Sequence, residues 1–341
     1  MEKKRSATIS DVAQLAGVSR ASVSKVIRDA YGVSDEMKLR VQEAIDTLQY
    51  RPRISARSLR GGRSFTLGVL LTSNANFFFS SVIEGLVEVL HDTPYQVVLA
   101  PSQDGSAAHE RTTLALVDRQ VDGMLAIAPA IEQEWLEALA ARIPLVMLGR
   151  HDKSMHFDTI VNDDMRGGAM AVDHLVGLGH RRIWHVTMDP EFLNNVPTGP
   201  HVIREQGYLH AMRSHGLQDH ARVMHVLPTA DSTYDAVLEI LNAEPWPTGL
   251  FIGHDELAMG ALRALSERGL TTQDISIVGY DDADLASHPL ISLTTINQGA
   301  RSVGALAGRM LLERMDGRTD PRHEVLAPEL VVRDTTHPPA D

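Results

Sequence analysis

At 341 residues, 43% of them apolar, the chain has material for at least two folding units, each with its own core. It contains no cysteine, which excludes disulfides, thiolate metal sites and a thiol nucleophile, and it has no run of apolar residues long enough to span a bilayer. The net charge of −12 is unevenly placed: residues 1–63 carry 13 Lys and Arg against 7 Asp and Glu, and the remainder 19 against 37, so the head attracts phosphate and the body repels it.

Met1-Glu2-Lys3-Lys4-Arg5-Ser6 is basic but leads into a polar segment rather than the apolar stretch of a secretory signal, so a soluble cytoplasmic protein is expected. Thr8-Ile9-Ser10-Asp11 has the form of a capping box and starts a short helix with Ile9, Val12, Ala13 and Ala16 inward. Gly17 is placed to end it in a left-handed turn. Val18 follows as an anchor, and Ser19 caps a second helix running from Arg20 to about Arg28, with Val23, Val26 and Ile27 on its inner face. Ser34 caps a third, in which Met37, Val41, Ala44, Ile45 and Leu48 keep the helical period. Three short helices with a tight glycine turn between the first two make a helix-turn-helix. The second helix turns Arg20, Ala21, Ser24, Lys25 and Arg28 outward, short or cationic side chains that suit the major groove. Next, Arg53-Ile54-Ser55-Ala56-Arg57-Ser58-Leu59-Arg60 has the length of two helical turns before Gly61-Gly62; so short a helix is marginal alone and suits a linker that orders on DNA.

Beyond residue 63, apolar β-branched runs alternate with amphipathic helices. Strands are expected at 66–72, 95–100, 122–128, 144–148, 182–187, 222–226, 248–252 and 275–279. Such alternation predicts parallel sheets covered on both faces, and about eight strands point to two sheets rather than one. Ligands of open α/β sheets sit at the carboxyl ends of the strands, so residues just after strands are the candidate lining. Asn76-Phe77-Phe78-Phe79 follows the first strand; its rings suit stacking on a sugar or base, or plain core packing.

The head resembles the LacI/GalR family of bacterial repressors through Thr8-Ile9-Ser10-Asp11-Val12-Ala13, Ala16-Gly17-Val18-Ser19, Ser22-Val23-Ser24-Lys25-Val26, Tyr50-Arg51-Pro52 and Ala56-Arg57-Ser58-Leu59. The resemblance extends over nearly the whole chain through Leu178-Gly179-His180-Arg181-Arg182-Ile183, His254-Asp255-Glu256-Leu257-Ala258-Met259-Gly260 and Gly279-Tyr280-Asp281-Asp282. It implies a helix-turn-helix domain at 1–52, a hinge at 53–63, and a body at 64–341 of periplasmic-binding-protein architecture. One subdomain of that body would hold about 64–162 plus 296–330, and the other about 163–293. It also implies that Arg20, Ala21 and Lys25 read bases and that Leu59 wedges into the minor groove. The expected DNA-contacting set is thus Thr8, Ser19, Arg20, Ala21, Ser24, Lys25 and Arg28 in the head, with Arg53, Ser55, Arg57 and Leu59 in the linker.

In the body, Arg204 matches the family arginine that grips the effector and Asp281 the carboxylate facing it. Asn76, Phe78, Phe79, Arg150 and His254 complete the expected effector set. Departures from the family pattern, such as His254 for asparagine, Gly149 for aspartate and Phe77 for proline, leave the effector's identity open. Sixteen histidines occur without any metal-ligand spacing, and there is no phosphate loop or nucleophile elbow. Asp163-Asp164 is expected to cap a helix starting near Met165. The expectation is therefore a dimeric, effector-controlled repressor of a pseudo-palindromic operator, neither an enzyme nor membrane-bound, with no cofactor or metal; a sugar or sugar derivative acting as inducer is favoured, and a corepressor-dependent or partner-responsive regulator is the alternative.

Overall fold

The computed structural model describes residues 7–27, 31–50, 63–72, 77–102, 105–190, 196–242 and 244–339. The chain divides into two compact units, Met1–Ser64 and Phe65–Asp341.

The first unit is built from α1 (Ile9–Ala16), α2 (Arg20–Ile27) and α3 (Asp35–Leu48). Its ends follow from local chemistry. Asp11 Oδ2 accepts from the Thr8 backbone N–H at 2.7 Å while Thr8 Oγ1 accepts from the Asp11 N–H at 3.4 Å, so both orphan donors are satisfied. Gly17 closes the helix at φ 65°, where a side chain would be strained. Ser19 Oγ takes the Ser22 N–H at 3.0 Å, and Ser34 Oγ the Met37 N–H at 3.3 Å. Val12, Val23, Val41, Ala44 and Tyr50 form the small core between the three helices.

The second unit holds two six-stranded sheets. The first comprises β1 (Thr66–Leu71), β2 (Gln96–Pro101), β3 (Gly123–Ile127), β4 (Leu145–Leu148), β5 (Asp158–Asn162) and β11 (His323–Leu326), in the order β11-β5-β4-β3-β1-β2, every pairing parallel. Helices α4 (Phe77–Leu90) and α11 (Ala300–Met315) cover one face through Leu67, Val69, Val82, Leu86, Val303 and Leu311. Helices α5 (Ser106–Asp118) and α6 (Gln133–Ala140) cover the other through Leu116, Met124, Leu136 and Met147. The second sheet comprises β6 (Ile183–Met188), β7 (Arg222–Val226), β8 (Gly249–Ile252), β9 (Ser276–Asp281), β10 (Thr294–Asn297) and β12 (Glu329–Val331), in the order β12-β10-β9-β8-β6-β7. Among the described strands only β12 runs antiparallel, against β10. Here α7 (Asp164–Gly177) and α8 (Pro200–Ser214) pack on one face, and α9 (Ala230–Asn242) and α10 (Asp255–Glu267) on the other. The fold is thus a helical head with a body of two doubly wound, parallel-dominated sheets.

All eight expected strands form, within a residue or two, but the described residues contain twelve. β5, β10, β11 and β12 escaped the reading because their polar groups are satisfied by residues distant in sequence. Asp158, fully buried at the start of β5, takes Arg314 Nη1 at 3.0 Å and Arg318 Nη2 at 2.5 Å. Thr295 Oγ1 in β10 donates to Asp255 Oδ1 at 2.6 Å. The chain passes between the sheets after β5, returns after β10, and passes again between β11 and β12.

Candidate nucleic-acid interface and effector cleft

On α2, Arg20, Ala21 and Lys25 are exposed, as is Ser19 at its start, while Thr8, the cap of α1, is half-buried. Ser24 is not part of that face: it is buried, 7% exposed, beside Val23. An eight-residue helix packed on two others turns more of its girth inward than an outward/inward split of its charged positions implies. Arg28, Arg53, Ser55, Arg57 and Leu59 lie outside the described residues, as does Asn76 in the body.

In the body, the carboxyl ends of the strands converge on one cavity of about 320 Å³. Thr72, Ser102, Ala128, Arg150 and Asn162 reach it from the ends of the first five strands; Met188, Pro228, His254, Asp281 and Gln298 reach it from β6 to β10. Phe78 and Phe79, from the first turn of α4, form an apolar wall with ring centroids 6.1 Å apart and planes inclined at 66°, the T-shaped arrangement. Both also pack on the core beneath α4, as the core-packing reading expects, while lining the cavity. Phe77 is half exposed and does not line the cavity. The cavity therefore brings together Phe78, Phe79, Arg150, Arg204, His254 and Asp281 of the expected set.

Their connections differ from a simple arginine–aspartate clamp. Arg204, 1% exposed, donates Nη2 to Asp164 Oδ1 at 2.9 Å and Nη1 to the Gly253 carbonyl at 2.5 Å, with its guanidinium carbon 3.4 Å from the centroid of the Tyr280 ring. Burial opposes its charge, but Tyr280, Asp164 and Asp281 hold its pKa above the ordinary arginine value. Asp281 instead accepts from Gln298 Nε2 at 2.5 Å and sits 3.1 Å from His254 Nδ1. Its backbone φ of 121° and that of Asp282 at 54° are unusual for residues with side chains, a strain typical of ligand sites. Asp282 is anchored behind it by Arg333 at 2.6 Å and Asn297 at 2.8 Å. Arg150 is also engaged, with Nε on Asp152 at 2.6 Å and Nη1 on the carbonyls of Pro129 and Ile131.

Several lining groups escaped the sequence reading. Asp163 does cap α7 through the Arg166 N–H at 3.0 Å, but its neighbour Asp164 is buried and belongs to Arg204. Asn162 ends β5 and Gln298 follows β10, so the rule that strand ends line the site would have found both had those strands been recognised. His201 lies in the first turn of α8, 4.6 Å from the His254 ring; burial, with the charges of His254 and Arg204, holds its pKa well below the usual histidine value. His109 Nδ1 accepts the Ala130 N–H at 2.9 Å, which leaves its proton on Nε2. Among the described residues, Asn162 Oδ1, His201 Nδ1 and Arg204 Nε are buried with no partner. No described group of histidine and acidic side chains has the geometry to hold a metal.

Known proteins of this architecture match the chain over its length. The family model "Bacterial regulatory proteins, lacI family" covers residues 8–53, and "Periplasmic binding protein-like domain" covers 172–336. The HTH-type transcriptional repressor PurR of Edwardsiella ictaluri is 34% identical over 333 residues, 96% of either chain. The solved lac repressor dimer bound to operator and the anti-inducer ONPF superposes with a TM-score of 0.83 at 27% identity, over 98% of this chain and all of that one. A complex of the transcriptional regulator CelR with cellobiose gives 0.69 at 29% identity, over 96% of this chain and 99% of that one. With its capped helix-turn-helix, its paired parallel sheets and this likeness from end to end, the chain belongs to the lacI family of bacterial regulatory proteins and is a DNA-binding transcriptional repressor.

Proposed function

We propose that the protein is a homodimeric repressor whose body binds a sugar or sugar derivative, and that this ligand acts as an inducer. The observation that carries the reading is the cleft itself, where Arg204, His201 and Asn162, each of which keeps one buried polar atom without a partner, line one cavity with the aromatic wall of Phe78 and Phe79. Polar atoms cost stability when buried without partners, so a site that keeps three of them is suited to a ligand rich in hydroxyls. The related CelR was solved with cellobiose, which supports the same class here. Arg20, Ala21 and Lys25 would read bases in the major groove while Leu59 and the arginines of the linker engage the minor groove and backbone. Effector binding would favour one arrangement of the two sheets over another and so weaken DNA binding; DNA must then weaken effector binding by the same factor. The related lac repressor is a dimer. Here the exposed apolar residues Val87, Val98, Leu99 and Leu114, on α4, edge strand β2 and α5, offer a face for a second copy.

The likeness to PurR repressors favours a second reading, in which a purine serves as corepressor and tightens DNA binding. One experiment separates the two. DNA selected from a random library by the purified chain is rebound in the presence of neutral sugars and of nucleobases. Release of a palindromic site by a sugar supports induction; capture only in the presence of a nucleobase supports the second reading. Absence of any enriched sequence under every condition would refute both.

A further inference from the structure

The two arginines of the cleft are paired before any ligand enters. Arg204 is held by Asp164 at 2.9 Å, and Asp164, itself 1% exposed, also accepts from the Tyr280 hydroxyl at 3.1 Å and lies 3.0 Å from His151 Nε2. Arg150 is likewise held by Asp152. The described lining contains no other lysine or arginine, whereas Asp281 and Glu256 remain as further carboxylates. Residues 73–76, 103–104 and 191–195, which adjoin lining residues in sequence, contain no lysine or arginine either. An anionic ligand would thus lack a free cation and meet two carboxylates at short range in a partly desolvated site.

We propose that Asp164 sets the charge class of the effector: by neutralising Arg204 it reserves the cleft for an uncharged, hydroxyl- or amide-bearing molecule and refuses sugar phosphates and sugar acids. This rests on the reading of the cleft as the effector site. Among the residues lining the cleft, Arg204 has a buried Nε–H, His201 a buried Nδ1 and Asn162 a buried Oδ1 that lack partners, one unmet hydrogen bond each. Such single donors and acceptors match hydroxyls, which give and take one hydrogen bond at a time, rather than a phosphate or carboxylate, which demands a fork of donors and a compensating charge. The neutral state of His201, enforced by burial, agrees with this. Asp164 acts through Arg204 and is a positioning residue for specificity.

The test uses the full chain and inorganic phosphate as a charge probe, at constant ionic strength, with thermal unfolding as the readout. The native chain and Arg204→Gln should respond identically to phosphate, because any stabilisation then comes from the basic head. Asp164→Asn should gain a phosphate-dependent rise of about 2–4 °C that disappears when Arg204→Gln is added. A rise in the native chain that Arg204→Gln abolishes would overturn the proposal, as would a folded Asp164→Asn with no gain. If Asp164→Asn does not fold, native chain titrated with glucose 6-phosphate and gluconate decides: Arg204-dependent stabilisation by either overturns it, and none sustains it. Failure of every neutral sugar and nucleobase to alter operator binding would instead refute the effector reading, independently of the phosphate result.

Discussion

Removing Arg204 does more than remove a hand from the ligand. Asp164 would stay buried, with only His151 and the Tyr280 hydroxyl as partners, and breaking one side of a buried pair costs about 3–5 kcal/mol. Arg204→Ala should therefore lower the stability of the body by roughly that amount in urea unfolding. Arg204→Ala with Asp164→Asn should recover part of it, and no recovery would mean that the two side chains are not energetically paired. In the head, the exposed Lys25 is expected to shift operator preference when changed to alanine. A binding loss equal for all sequences would reduce its role to phosphate contact. Arg204 and Asp281 were legible as site residues because they stand in recognisable motifs. Asp164 was not: it stands beside a capping residue, and its partner lies 40 positions away on another helix.

Helix packing in the body depends on glycines that face a neighbouring backbone. A Cβ on Gly85 of α4 would lie 1.9 Å from the Arg301 carbonyl oxygen, and one on Gly304 of α11 would lie 1.9 Å from that of Val82. Neither carbonyl can turn aside without breaking its helix, so the two helices would have to separate. Gly85→Ala or Gly304→Ala should each cost about 1–3 kcal/mol or more in urea unfolding. Gly177, the last residue of α7, has open space around its Cβ position, and alanine there should be neutral or stabilise by a few tenths of a kcal/mol. Equal effects at all three would refute the close-approach explanation. The helices and the strands rich in large apolar residues were legible because their pattern is local. β5 was not, since Ile160 and Val161 are its only large apolar residues and its ends are Asp158 and Asn162. What makes it a strand is Arg314 and Arg318 over 150 residues later, and without β5 neither Asn162 nor Asp164 can be placed at a strand end from local pattern.

The body as a whole carries histidines that fold in the neutral state. Burial lowers the pKa of His185 to about 3, and burial first of all lowers those of His201, His174 and His180 as well. Below about pH 6.5 the unfolded chain takes up protons that the folded body refuses, so the stability these groups contribute is intact above that pH and lost progressively beneath it. His185 alone should account for about 2 kcal/mol of loss by pH 5. Urea unfolding from pH 7 to 5 should show a falling midpoint, and His185→Phe should flatten the slope whatever its absolute stability. An unchanged slope would mean that His185 does not fold neutral. The crossings between sheets bear on how the protein is made. β11 completes the edge of the first sheet beside β5, β12 completes the second beside β10, and Thr335 and His337 then tie onto Ile277 and Ser276. In a chain emerging from the ribosome, β5 and β10, interior strands of the finished sheets, would therefore lack their outer neighbours until residues 323–337 have appeared. Both sheets thus wait on the last residues of the chain, and one truncated before residue 323 should expose the buried strands β5 and β10 as edges open to strand-to-strand association.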